Sequence, residues 1–337
     1  LLNNHQALAV RKELPLNDST AEERQILEFL TRCGKPNFVK LLFWYEYGDK
    51  INYVFPKYPG SLYQLLEGEL DDQISLPRPS KYRNVLQHCL WQGVVDIIGA
   101  LKFFHNPGAD QDVVPLDVNA IAAHFDLKPA NILVDANGVL LLTDFGQARI
   151  KRPNPLGGSS LTAQSGDENY RPPPIPSPLF RKPLPNSTLT GSPPDQAQDI
   201  GLRWTRAYDV WSMACIMTEV IEYIMHGSAG FGKFREQRFE EGRLSAAFWT
   251  KHDNGGYGLK NAVELVLCKF EETQDRYLIM VTNLIRTMFS IDPLQRPTIS
   301  DCLSILSEDF PTDDWPLKEE DEVSIAGLGT FPQLRNM

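Results

Sequence analysis

Between His124 and Gly146 the chain reads HFDLKPANILVDANGVLLLTDFG, and no other stretch constrains the fold as much. Ile132 to Val134 and Val139 to Leu142 are apolar runs of strand length, and Asn137-Gly138 between them is a strong two-residue hairpin signal. With the turn placed there, Ala136 faces Val139, and continuing the ladder sets Asn131 opposite Asp144, Cβ atoms about 5 Å apart. An amide oxygen and a carboxylate at one end of a rigid ribbon suit Mg²⁺, which takes hard oxygen ligands and shares them with phosphates. Taken singly, Asn131 reads as a cap and Asp144 as a turn residue. Asp126, however, lies five residues before Asn131 with Lys128 between them, which adds a carboxylate able to accept or orient a hydroxyl proton and a cation beside it. A base, a cation and two metal ligands converging on one spot meet the needs of phosphoryl transfer, where positioning and charge neutralisation supply most of the catalysis.

The rest of the 337-residue chain can bury a large core, since 42% of it is hydrophobic. Its formal charge of −10 argues against a delocalised grip on nucleic acid or anionic lipid. Five scattered cysteines without a CxxC pair read as small core residues in a reducing compartment, cytoplasm or nucleus. No run of 18 apolar residues and no leader pattern is seen, so neither a membrane span nor secretion is expected. The chain starts Leu1-Leu2 rather than with Met, which suggests a missing upstream portion.

Along the chain, residues 7–12 read as a strand, and Ser19-Thr20-Ala21-Glu22 as a capping box opening a helix with Ile26, Leu27 and Leu30 on one face. Strand-like stretches follow at Val39–Tyr47 and Asn52–Phe55, then a long buried helix from Tyr82 to Phe104, stopped by Asn106-Pro107-Gly108. Periodicity vanishes over 151–204, where nine of the 23 residues from Pro172 to Pro194 are proline, leaving an extended connection. Helical patterns return at 206–226, 258–270, 276–290 and 298–307, and the eight acids within 308–322 read as a solvated tail. A small strand-rich part thus precedes a larger helical one.

The sequence resembles the eukaryotic protein kinase family. The catalytic-loop pattern HRDLKPxN stands as HFDLKPAN at 124–131, and DFG at 144–146; AVRK at 9–12, Glu23, KPNFVKLL at 35–42, YDVWS at 208–212 and DPLQRPT at 292–298 follow the family order. Lys128 in this setting resembles the serine/threonine branch. The resemblance implies an α+β, bilobal kinase-like fold: a partial N-lobe over 1–58, a C-lobe over 59–307 with a Pro-rich insertion at 172–204, and an acidic tail at 308–337. It implies ATP and Mg²⁺ as cofactors and a protein Ser/Thr hydroxyl as acceptor. Asp126 would be the catalytic base, Lys128 the phosphate contact, Asn131 and Asp144 the magnesium ligands. Lys12 would hold the α and β phosphates and pair with Glu23. Phe55 would be the gatekeeper, with Pro56 and Tyr58 of the hinge meeting the adenine. His124, Phe145 and Leu27 would belong to a hydrophobic spine, and Asp209 would brace the catalytic loop.

Several positions depart from the family. Only 11 residues precede Lys12, which leaves no room for the glycine-rich loop over the nucleotide phosphates. Reading Ala9 as the adenine-contacting alanine would put Arg11 in place of Lys12, and Arg keeps the charge but not the fit. Phe125 replaces the Arg of HRD, so activity should not require a phosphorylated activation loop. Pro172-Pro173-Pro174 replaces APE after GDENY, depriving Arg296 of its usual carboxylate; Asp195, Asp199 or water would then meet it. Ser159, Ser160, Thr162 and Ser165 read as a polar loop, with phosphosites as the alternative. Three function classes remain: a protein kinase, a pseudokinase acting as a scaffold, and a small-molecule phosphotransferase. The Pro-rich insertion could also meet a protein partner as extended PPII, against a passive linker.

Overall fold

The computed structural model describes residues 8–70, 74, 89–107, 121–151, 166–174, 194–241 and 245–308. The start of the expected helix at 82–88, the candidate phosphosites, most of the Pro-rich stretch and the acidic tail beyond 308 lie outside them.

A small lobe opens the chain. Strands β1 (Ala9–Pro15), β2 (Phe43–Tyr47) and β3 (Lys50–Pro56) form an antiparallel sheet in the order β1-β3-β2, with Lys12 opposite Tyr53 and Val10 opposite Phe55. Helix α1 (Asp18–Cys33) packs on the inner face, where the buried Tyr53 hydroxyl donates to the Thr20 carbonyl at 2.5 Å. Its cap differs from the expected Ser19–Glu22 box. Asn17 is the N-cap: its side chain accepts from the Thr20 amide, and its own amide donates to the Thr20 hydroxyl. That hydroxyl also donates to the Pro15 carbonyl at the end of β1, so the strand-to-helix junction selects Asn17 over Ser19.

The larger part is mainly helical. Short elements β4 (Gly60–Ser61) and α2 (Leu62–Leu66) lead to α3 (Cys89–His105), whose Leu90, Trp91, Ile97, Ile98 and Leu101 are fully buried. After β5 (Ile121–Ala123) come β6 (Ile132–Val134), β7 (Leu140–Leu142) and β8 (Arg149–Lys151). Helix α4 runs from Pro194 to Glu241 and breaks at Gly227 (φ 69°, ψ −170°). It therefore starts twelve residues before the expected 206, with Pro194 at its first position, where a missing N–H costs nothing. Every residue from Val210 to Ile221 is buried, so this helix is the axis of the lobe. The expected helix at 258–270 begins later, because Tyr257–Leu259 is a strand, β10, paired with β9 (Trp249–Lys251). Helices α5 (Asn261–Glu272), α6 (Arg276–Met288) and α7 (Ile299–Glu308) complete the lobe. No helix among the described residues is long and apolar enough to cross a membrane. Of the five cysteines, none of them in a disulfide, Cys215 and Cys302 are buried, whereas Cys89 and Cys268 are exposed and do not serve the core.

The hairpin forms, but one residue out of the expected register. Ile132 pairs with Leu142, Leu133 with Leu141 and Val134 with Leu140. The loop has three residues, Ala136 to Gly138, because the Asp135 carboxylate accepts from the Asn137 and Val139 amides, both at 2.8 Å, while Gly138 takes φ 82°. This register sets the buried Ile132 and Val134 against the buried Leu142 and Leu140. Asn131 consequently faces Thr143, whose amide donates to the Asn131 carbonyl at 3.1 Å, and Asp144 lies one residue beyond.

Candidate active site

Strand alternation on β1 turns Lys12 inward and Arg11 outward. The Lys12 ammonium meets the Glu23 carboxylate of α1 at 2.7 Å and the Asp144 carboxylate at 2.8 Å. Arg11 instead lies on the exposed face, with Glu13 at 3.4 Å. Of the two, Lys12 is the one that meets Glu23 and Asp144. Burial opposes the Lys12 charge, but Glu23 and then Asp144 outweigh it and hold its pKa above the usual range. For Glu23, 3% exposed, burial prevails and pushes the carboxyl up. Burial also opposes the Asp144 charge, yet Lys12 wins and keeps this carboxyl below its ordinary value.

Asp144 sits in the left-handed region (φ 59°, ψ 72°) at the head of a 3₁₀ turn, Phe145–Gln147. The next side chain, Phe145, is fully buried among His124, Phe104 and Phe38, with ring centroids 5.1, 5.4 and 6.3 Å away. His124 is buried, and desolvation lowers its pKa. Its Nε2 donates to the Thr143 carbonyl at 3.0 Å and its Nδ1 accepts from the Asp126 amide at 3.3 Å, which links the catalytic-loop stretch to the hairpin end.

Asp126, Lys128 and Asn131 are gathered by their own short loop. Asp126 accepts from the Asn131 side-chain amide at 2.8 Å, and Lys128 lies 3.0 Å away. Because Asn131 Nδ2 also donates to the Asp126 carbonyl at 2.8 Å, both its hydrogens are spent and its Oδ1 is left as a hard acceptor. Asn131 Oδ1 and the Asp144 carboxylate are hard oxygen donors of the kind Mg²⁺ takes. Beneath the loop, fully buried Asp209 accepts from the His124 amide at 2.7 Å, the Phe125 amide at 2.9 Å and His105 Nε2 at 2.8 Å. Burial would raise this carboxyl, but the hydrogen bonds from His105 and from the His124 amide help bring it below its usual value. At the end of β3, Phe55 packs edge-on to Tyr53 at 6.5 Å, Pro56 pairs with Ala9, and the Lys57 amide donates to the Leu8 carbonyl. Tyr58, half-buried, packs beside the core.

Residues 3–181 match the family model described as protein kinase domain. The chain belongs to the protein kinase family. It is 28% identical over 251 residues to the MAP kinase kinase kinase SSK2 of Saccharomyces cerevisiae, an alignment covering 65% of this chain and 13% of that protein. It is 26% identical to the serine/threonine-protein kinase SSK22 of the same yeast, over 65% of this chain and 14% of that protein. Against the mitogen-activated protein kinase HOG1A of Wallemia ichthyophaga the identity is 28%, over 58% and 39% of the two chains. This chain therefore spans well under half the length of these relatives.

Two departures from the kinase pattern have structural answers. Phe125 (φ 62°) is buried edge-on to Tyr208 at 5.4 Å, an apolar contact where the family places Arg. Arg296, left by the sequence without its usual carboxylate, meets backbone carbonyls, while the side chains of Asp195 and Asp199 lie outside the described residues. Its guanidinium donates to the carbonyls of Ala207 and Ser290 at 2.8 Å and Ile291 at 3.4 Å, and lies 5.1 Å from the Trp211 ring. Among the described residues, three carbonyls thus hold this guanidinium. Sequence reasoning missed Asp167, whose backbone amide donates to Asp126 Oδ1 at 2.9 Å and whose carboxylate lies 3.5 Å from Lys128. It also missed the buried pair Glu219–Arg238, which holds the Tyr170 hydroxyl at 2.9 Å. The GDENY string marked the segment, but nothing local ties it to Asp126.

Proposed function

We propose that this chain transfers the γ-phosphate of ATP to a serine or threonine hydroxyl of a protein substrate. Residues up to Tyr58 are the small lobe in this reading, 59–307 the large lobe with its insertion at 172–204, and 308–337 a tail. Bound Mg²⁺ would neutralise charge on the phosphates, held by Asn131 Oδ1 and the Asp144 carboxylate. Lys12, steadied by Glu23, grips the α and β phosphates, while Phe55 backs the adenine and the Pro56 carbonyl and Tyr58 amide meet its edge. Asp126 orients the acceptor hydroxyl and takes its proton, and Lys128 balances charge on the transferred group.

The observation that carries the reading is the Asp126 carboxylate, braced by Asn131 at 2.8 Å and Lys128 at 3.0 Å, on a loop tied through His124 to the segment bearing Asp144. The test is γ-phosphate incorporation into Ser/Thr peptides by the full-length protein. Asp126→Asn should cut kcat by at least about 100-fold with little change in nucleotide affinity. A scaffold reading draws on Phe125 and on Pro174 in place of the APE glutamate; it would be favoured by ATP binding without transfer. Phosphate appearing on metabolites but never on peptides would favour a small-molecule substrate.

A further inference from the structure

We propose that Asp167 is a specificity residue that selects substrates with a basic side chain immediately beside the accepting hydroxyl; this rests on Asp126 being the site of that hydroxyl. Its position is built rather than incidental. At Gly166 an added Cβ would come within 2.5 Å of the Phe125 carbonyl, so the backbone runs flush against the catalytic loop and delivers Asp167 to it. The Asp167 amide donates to Asp126 Oδ1 at 2.9 Å, and its Oδ1 accepts from the Asn169 amide at 2.9 Å. Its carbonyl accepts from the Tyr170 and Arg171 amides at 3.1 and 3.0 Å. Downstream, Tyr170 is bonded to Glu219 and Ser212, and the Arg171 carbonyl to Trp249, all at 2.9 Å. The segment cannot retreat without breaking these.

The consequence is electrostatic. Among the described residues, two carboxylates, Asp126 and Asp167, face Lys128, at 3.0 and 3.5 Å, leaving one net negative charge on this trio. Asp167 is the more exposed acid, 29% against 11%, so a substrate presenting its hydroxyl to Asp126 passes beside it. A neighbouring Arg or Lys would be drawn in and a neighbouring Glu repelled, at a range within the Debye length of physiological salt. An unfavourable charge against the wrong substrate is a common source of discrimination.

The experiment compares paired peptides carrying Arg or Glu next to the acceptor, measured both as kcat/KM and, with Ala replacing the acceptor, as Kd. Wild type should favour the Arg peptide by about 5- to 10-fold, and Asp167→Asn should bring the ratio within about twofold. Asp167→Glu should keep the preference, raised salt should weaken it in wild type, and Glu168→Gln, altering an exposed acid that pairs with Arg171, should leave it intact. An unchanged ratio in folded Asp167→Asn, or no preference in wild type, overturns the proposal. If Asp167→Asn does not fold, a wild-type preference insensitive to salt does so. Absence of transfer to any peptide would instead overturn the kinase reading, while the Kd ratio would still report on Asp167.

Discussion

Lys12 and Arg11 are adjacent cations that the strand turns to opposite faces. One carries Glu23 and Asp144 within 2.8 Å, and the other lies at the surface beside Glu13. Replacing Lys12 by Met removes a charge from between two carboxylates and should weaken nucleotide binding by at least tenfold, because Glu23 and Asp144 would then repel the phosphates. Arg11→Met should change it by less than about twofold. A fluorescent-nucleotide titration of both variants measures the difference. Asp144 and Phe125, with φ of 59° and 62°, occupy backbone positions that most residues avoid. Asp tolerates this region through its short polar side chain, whereas Phe125 is held there by the Asp209 bond to its amide.

Elements owe their boundaries to contacts between segments. The β6–β7 hairpin is as expected in place and composition, yet ILV and LLL are apolar throughout, so no in–out alternation could fix its register. Asp135 and the burial of Ile132, Val134, Leu140 and Leu142 fixed it. Gly138→Ala forces a Cβ into the left-handed region and should destabilise the chain by about 1–2 kcal/mol, read by urea denaturation. Lys260 offers a pH test at the junction of α4 and α5. It is buried, donates to the carbonyls of Arg238 and Ser245 at 2.7 and 2.5 Å, and is lowered to about 8 by burial and by Arg238. Between about pH 8 and the ordinary lysine value near 10.4 the unfolded chain holds a proton that the folded chain releases, so this group makes stability rise with pH. The slope is at most about 1.4 kcal/mol per pH unit, and Lys260→Met should remove it; unfolding free energies across pH 8–10 for both proteins provide the comparison.

Over the whole molecule, Asp209 joins the end of α3, the catalytic loop and the central helix α4 through three acceptor bonds. Asp209→Asn keeps the size but offers one oxygen where three donors converge. At least one buried N–H is left unpaired, and the expected loss is about 2–3 kcal/mol of stability. Because the same bonds set the backbone of Phe125 and Asp126, phosphate transfer should fall more than stability predicts. Calorimetry and peptide kinetics on one preparation separate the two effects. On the other side of the loop, Tyr170 and the Glu219–Arg238 pair anchor residues 166–174, so this segment is as firmly tied to α4 as the loop itself.

The sequence alone determined the family, from motifs in a fixed order along the chain, a small strand-rich part before a larger helical one, and the cluster Asp126, Lys128 and Asn131, whose members lie within one loop of each other. Only the tertiary structure decided that Lys12 rather than Arg11 faces Asp144, that Arg296 rests on carbonyls, that Asn17 caps α1, and that Asp167 closes on Lys128. Each of those depends on partners brought in from elsewhere in the chain or on a backbone turn shared between two elements. Local periodicity carries no record of such meetings, since the free energy that fixes them comes from burial and pairing across the assembled core.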